Sequence, residues 1–91
     1  MNDEKLSAAL LSRVQKIRGQ VEGIERMLHD DKYCIDVINQ IHAARRALDK
    51  MALMLIENHL KTCVKNALTE KKNVQPIIEE LTRTLDQFLK T

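Results

Sequence analysis

From Tyr33 to Ala67 the chain reads YCIDVINQIHAARRALDKMALMLIENHLKTCVKNA, with neither proline nor glycine. Ala, Leu, Ile, Met, Lys and Arg dominate it, all good helix formers. The run predicts one long central helix. At about 100° per residue, Cys34, Ile38, Ile41, Leu48, Ala52, Ile56, His59 and Cys63 fall on one broad stripe. The chain's two cysteines therefore lie on that stripe, at opposite ends. His59 and Cys63 are one helical turn apart and point the same way.

That spacing poses a geometric problem. At about 1.5 Å rise per residue, one continuous helix holds Cys34 roughly 37 Å from His59 and roughly 43 Å from Cys63. Two such helices packed antiparallel remove the problem. With the pairing centre near Leu48, Cys34 of one chain meets His59 and Cys63 of the other. A two-fold dimer then makes two identical clusters shared between subunits.

Ninety-one residues suit a single domain, 1–91. A chain of this size buries only a modest core alone, so oligomerisation is an expected source of stability. Tyr33 and Phe88 are the only aromatics, and the apolar residues are those of a helix bundle. The net charge of +2 and pI of about 8.6 are weakly basic and do not by themselves announce nucleic acid. A tetramer multiplies that charge fourfold, enough to matter if clustered on one face. The apolar runs are too short and interrupted to span a membrane. MNDEKL is unlike a signal peptide. A cytoplasmic location follows, and with it reduced thiols suited to metal or redox work rather than a structural disulfide.

Residues 1–5 read as a flexible tail. Leu6, Leu10, Val14, Ile17, Val21, Ile24 and Leu28 follow steps of three and four, an amphipathic first helix to about His29. Ser7 is a candidate cap. Gly19 and Gly23 each cost about 1 kcal/mol inside a helix, so close approach of a neighbouring helix, or of a ligand, is expected there. His29 to Lys32 reads as a turn, with Asp30 or Asp31 capping the second helix. Ile35, Leu53, Leu60, Val64, Ala44 and Met51 lie off the stripe, so the second helix packs on more than one neighbour. Arg45 breaks the stripe near its middle, either as a snorkelling or ion-paired arginine or in a DNA or interface role. Residues 68–75 read as the end of that helix and a loop. Pro76 suits the first position of a third helix, whose apolar face is Ile77, Ile78, Leu81, Leu85 and Phe88 or Leu89. No stretch alternates as a strand does. The fold class is all-α, three helices with a long central one.

Two thiolates and an imidazole form a soft ligand set that favours Cu(I), and also zinc. Zinc usually takes four ligands, so three donors tilt toward Cu(I). The same pattern also suits two buried structural cysteines and a satisfied histidine. His29 and His42, off the stripe, suit a turn and a surface position. A Cys/His nucleophile needs an oxyanion hole and a cleft, and no glycine-rich loop or acid pair supports either. The chain does not read as an enzyme.

SRVQKIRGQVEGIERML, then YCIDVINQI, NHLKTC and IEEL, resemble the copper-sensing operon repressor (CsoR) branch of the CsoR/RcnR family, across roughly residues 6–89. The order Cys34, His59, Cys63 matches that family's Cu(I)-ligand pattern. Nickel and cobalt members carry an extra N-terminal histidine where this chain has Asp3. Formaldehyde sensors lack the third thiol, and persulfide sensors lack the histidine. The resemblance implies a disc-shaped dimer of dimers that represses transcription without a helix-turn-helix. It also implies a DNA affinity that falls on binding Cu(I). It maps positions supporting the metal ligands onto Tyr33 and Glu80, and a DNA-contact arginine onto Arg13. One basic position of the copper branch falls on Leu53, a departure, with Arg45, Arg46 and Lys50 as substitutes.

A Cu(I)-responsive repressor of operator DNA is thus the leading expectation. Arg13 and Lys16 on the first helix and Arg46 and Lys50 on the second are suited to neutralising phosphates. The alternatives are a thiol or persulfide redox switch, a nickel sensor on the same Cys-His-Cys set, and a cytosolic copper buffer without a DNA role.

Overall fold

The computed structural model describes residues 3–71 and 73–90. It contains three helices: α1 (Glu4–His29), α2 (Cys34–Glu70) and α3 (Gln75–Leu89). Among the described residues no helix is long and apolar enough to cross a membrane. The chain forms two compact units that divide between Ala52 and Leu53. The first holds α1 and the opening half of α2. The second holds the rest of α2 and α3.

In the first unit, α1 starts earlier than its apolar pattern suggests. Asp3 is the N-cap, and its carboxylate accepts from the Lys5 and Leu6 backbone N–H groups at 3.0 and 3.1 Å. Ser7 instead donates its N–H to the Asp3 carbonyl, an ordinary helical bond at 2.9 Å. Aspartate caps a helix as well as serine does, and Glu4 adds a favourable charge in the first turn. Of the five residues expected to form a tail, Asp3, Glu4 and Lys5 are therefore ordered. Met1 and Asn2 lie outside the described residues.

The turn after α1 also differs from expectation. Asp30 is the C-cap of α1. Asp31 adopts a left-handed φ of 52°. The Asp31 N–H donates to the Leu28 carbonyl and the Lys32 N–H to the Met27 carbonyl, at 3.3 and 3.0 Å. These two bonds satisfy carbonyls orphaned at the helix end, in the manner of a Schellman motif. Both aspartates thus finish α1 rather than begin α2, because a short polar side chain tolerates the left-handed conformation.

Leu10 and Ile17 of α1 and Val37 and Ala44 of α2 are buried in this unit. Each pair is seven residues apart, two turns of one helix face. The stripe on α1 splits into two rows. Leu10 and Ile17 point inward, while Val14, Val21 and Leu28 are exposed. A Cβ on Gly23 would lie 3.8 Å from Gln40 Nε2, ordinary contact, whereas one on Gly19 would meet nothing within 4 Å. Within a protomer, then, only Gly23 sits beside the neighbouring helix, and not tightly.

In the second unit, α2 ends at Glu70 and Lys71 takes a left-handed φ of 55°. Asn73 Oδ1 accepts the Gln75 N–H at 3.0 Å, although Val74 is the formal cap. Gln75 opens α3, with Pro76 in its first turn, where a missing N–H costs nothing. Ala67 is buried, and Ile77, Leu81, Leu85 and Phe88 are partly buried. No large side chain among the described residues is completely buried, while Ile35, Ile38, Ile41, Leu48, Leu53, Leu60 and Val64 are exposed along α2. These side chains leave apolar positions along the length of α2 that the protomer itself does not cover.

Removing the cap should cost α1 its first turn. Asp3→Ala is expected to lower stability by about 0.5–2 kcal/mol. Thermal melts of parent and variant at one fixed protomer concentration check this, and equal melting temperatures would assign the helix start to some other contact.

Candidate metal centre

His59 and Cys63 lie on α2 and Glu80 on α3, all within the second unit. One helical turn separates His59 from Cys63, so their side chains meet as the helix repeat requires. Cys63 Sγ is 3.5 Å from His59 Nε2 and 3.9 Å from Nδ1, beside the ring edge. The short turn after Glu70 folds α3 back along α2. Glu80 thereby comes within 3.2 Å of His59 Nε2, across 21 residues of sequence.

The Glu80 contact decides what the imidazole has left to offer. An ionised carboxylate only accepts, so the Nε2–H donates to Glu80 Oε1 and Nδ1 keeps its lone pair. The side chains of His59 and Glu80 are 54% and 63% exposed. A contact so open to water contributes at most about 1 kcal/mol to stability. Its consequence is orientation: the ring is held in one tautomer, the usual arrangement for a histidine that ligates metal through its other nitrogen.

The donors fit a single ion. Metal–sulfur and metal–nitrogen bonds of about 2.3 and 2.0–2.1 Å, as in zinc sites, span up to roughly 4.3 Å between the two donors. The 3.9 Å from Cys63 Sγ to His59 Nδ1 falls inside that reach. Cys63 is free and partly buried. Among the described residues of one protomer, no three His, Cys, Asp or Glu side chains converge closely enough to hold a metal ion.

Cys34 opens α2 in the first unit and is free and exposed. Tyr33 precedes it, 67% exposed, and its carbonyl accepts the Asp36 and Val37 N–H groups at 3.0 and 3.2 Å. The structure therefore brings together His59, Cys63 and Glu80, while Cys34 and Tyr33 are exposed in the first unit.

Arg13 is partly buried, and Lys16, Arg45, Arg46 and Lys50 are exposed. None of them makes an ion pair among the described residues, whereas Arg18–Glu22 and Lys61–Glu57 do, at 3.4 and 3.0 Å. A cation without an internal partner is free to meet a phosphate. Sequence reasoning missed an open cleft of about 410 Å³ beside Cys63, lined by Asn66, Ala67, Glu70, Asn73, Pro76 and Ile77. Only the Asn73 and Pro76 turn signals hinted at it, since its volume depends on the angle between two helices.

The chain is 50% identical over 58 residues to the copper-sensing transcriptional repressor RicR of Mycobacterium tuberculosis, covering 64% of this chain and 60% of that one. The chain likewise spans 60% of the length of the copper-sensing transcriptional repressor CsoR of Mycobacterium bovis, to which it is 41% identical over 73 residues, 80% of this chain. Two solved structures share the fold. The Cu(I)-containing copper-sensing repressor CsoR of Geobacillus thermodenitrificans superposes with a TM-score of 0.85 at 33% identity, covering 99% of this chain and 93% of that one. The nickel-responsive transcriptional regulator InrS gives 0.79 at 31% identity, covering 89% and 90%. The model of the family of metal-sensitive transcriptional repressors matches residues 7–87. That stretch takes in the length of all three helices save their outermost turns, and the chain belongs to this family.

Proposed function

We propose that this protein is a Cu(I)-responsive repressor that binds operator DNA when metal-free and releases it on binding Cu(I). The observation that carries this reading is the His59–Cys63 pair, with the second imidazole nitrogen held by Glu80. Bound Cu(I) would supply a soft centre for a three-donor set of Cys34, His59 and Cys63, a set one ligand short for zinc. The Cys34 donor comes from a second copy, because the spacing along one helix forbids it from the same chain. The exposed apolar residues of α2 suit antiparallel pairing of two protomers, and two such dimers a disc-shaped homotetramer.

On this reading residues 1–91 form a single sensor domain, acting as a cytoplasmic regulator rather than a catalyst. Arg13 and Lys16 on α1, with Arg46 and Lys50 on α2, form the DNA surface, and Arg45 lies beside it. His59 reports its own ligation: the polarity of its Nε2–H changes, and with it the pull on Glu80. Tyr33 of the second copy arrives with Cys34 and adds a hydroxyl to the same surroundings.

Nickel is the second reading, because a nickel-responsive regulator shares the fold. Anaerobic titration of the reduced protein separates the two. Sulfur-to-metal charge-transfer absorption should saturate at one Cu(I) per protomer, and operator affinity should fall with the same stoichiometry. Release of DNA by nickel and not by Cu(I) would overturn the copper reading. Metal binding with no operator binding would leave a copper buffer, and DNA release only on thiol oxidation or persulfidation would leave a redox switch.

Cys34→Ala, His59→Ala and Cys63→Ala should each weaken Cu(I) binding beyond the about 10–100-fold typical of losing an outer hydrogen-bond partner. Mixing Cys34→Ala with Cys63→Ala protomers should restore one intact site per heterodimer, measured by competition with a Cu(I) chelator. Failure of the mixture to outperform its parents would rule out a shared site.

Arg13→Ala and Arg46→Ala should weaken operator binding and lower the slope of log affinity against log salt by about one for each phosphate left unneutralised. Cu(I) affinity should stay at the parent value. Unaltered slopes in both would remove these residues from the DNA surface.

Glu80→Gln and Tyr33→Phe should leave metal-free operator binding near the parent level and Cu(I) binding within about 100-fold. The loss of DNA affinity at full Cu(I) occupancy should shrink. A parent-sized copper effect in both variants would leave the ligands alone to drive the change.

A further inference from the structure

Arg45 and Asp49 are charged residues that the metal site and the DNA surface do not absorb. Both are exposed on the first-unit half of α2, one helical turn apart. They form no ion pair with each other or with any described residue, although i,i+4 spacing places opposite charges side by side. The order matters here: arginine ahead of the acid is the weaker arrangement within one helix. Around them the surface is apolar. Ile38, Ile41 and Leu48 are 55%, 48% and 53% exposed. Around the helix axis Arg45 lies between Ile38 and Ile41, inside that apolar face, and Asp49 lies about 20° beyond Ile38, at its edge.

We infer that, in the antiparallel α2 pairing proposed above, Asp49 of each protomer pairs with Arg45 of the other to set the register of the seam. Such a seam rests on the metal site shared between Cys34 of one protomer and His59 and Cys63 of the other. Antiparallel pairing that aligns Cys34 with Cys63 puts the two-fold axis between Leu48 and Asp49. The two Asp49 carboxylates then face each other near the axis, and alone they repel. Arg45 of the second copy lies about 4.5 Å along the helix from Asp49. Packed helix axes stand about 8–10 Å apart, a gap that an arginine side chain crosses. Two equivalent Asp49–Arg45 pairs neutralise the axis, and self-complementarity is what a two-fold interface demands.

An apolar seam of Ile and Leu tolerates sliding, because neighbouring turns present similar side chains. A slip of one turn moves Cys34 about 5.4 Å from its place opposite Cys63, farther than any shared ligation allows. The same slip separates both pairs and leaves four unmatched charges in and beside an apolar seam. A buried polar pair of this kind adds little net stability but penalises wrong registers, as single polar positions do in coiled coils. Arg45 is thereby a positioning residue for the metal site rather than a phosphate contact.

The test is a charge-reversal cycle in the full-length chain, kept metal-free, with assembly followed by sedimentation across a dilution series. Asp49→Arg and Arg45→Asp should each raise the dimer dissociation constant at least about tenfold, and the double reversal should recover most of that loss. The milder Asp49→Asn, which keeps the helix intact, should weaken assembly less than Asp49→Arg does. Parent-like assembly of both single reversals, or additive losses in the double, overturns the proposal. So does an Arg45→Asp variant that assembles normally while losing operator affinity and salt slope, which returns Arg45 to the DNA surface. The cycle needs no metal. Rescue of assembly together with failure of the Cys34→Ala and Cys63→Ala mixture keeps the seam and sinks the shared site; the reverse pair of results sinks the seam alone.

Discussion

An α-helix advances about 1.5 Å per residue and turns about 100°, so two donors one turn apart are neighbours and a third, seven turns away, is not. His59 and Cys63 obey the first half of that statement and stand 3.5–3.9 Å apart. Cys34 obeys the second. Everything else in the proposed architecture answers to this constraint. If Cys34, His59 and Cys63 form the proposed ligand set, the long helix supplies two donors from one chain, the third comes from another, and the assembly becomes part of the ligand set. Metal occupancy and quaternary structure are then one equilibrium, because an ion that binds only the assembled state also stabilises it.

The protomer's packing agrees with that dependence. Among the described residues the buried apolar ones are Leu10, Ile17, Val37 and Ala44 in one unit and Ala67 in the other, and two of these five are alanines. The larger side chains of α2 are spent elsewhere: Ile38, Ile41, Leu48, Leu53 and Leu60 remain in water. Ordering a long helix costs about 1–2 kcal/mol per residue in backbone entropy, so burial of its apolar face is what a helix like α2 depends on. Helices gain most of their stability from packing an apolar face, and the face that a protomer leaves open is the one a second copy can cover.

The helices, the His59–Cys63 neighbourhood and the Pro76 start of α3 were legible because each depends on local periodicity or on a single residue's backbone chemistry. The Glu80 contact was legible only through resemblance, since a partner 21 residues away depends on how a turn aims the next helix. The turn residues misled for a related reason. Asp30 and Asp31 suit the start of one helix and the end of another equally well, and the choice falls to which carbonyls need donors. Asp3 was hidden by the apolar pattern, which begins three residues later at Leu6. The α1 stripe was correct as a period but too coarse as a burial map: its Leu10 row faces inward and its Val14 row does not. Periodicity names a face, and it cannot say how many neighbours share it.

The candidate relay is weak by any static measure, and that weakness suits a sensor. His59 and Glu80 meet at 3.2 Å with both side chains more than half exposed, a contact worth no more than about 1 kcal/mol. A strong, buried pair would hold one arrangement whatever His59 ligated. Allosteric coupling between sites is ordinarily about 1–3 kcal/mol, and a ligand shifts an equilibrium only by its difference in affinity for the two states. One open hydrogen bond per protomer is too small to provide that alone. In the proposed symmetric assembly, repeated across its subunits and reinforced by a second copy at Cys34 and Tyr33, contacts of this size would reach the required range without locking either state. On the proposed reading the arrangement trades rigidity in the single chain for sensitivity in the assembled one, where the third donor would arrive.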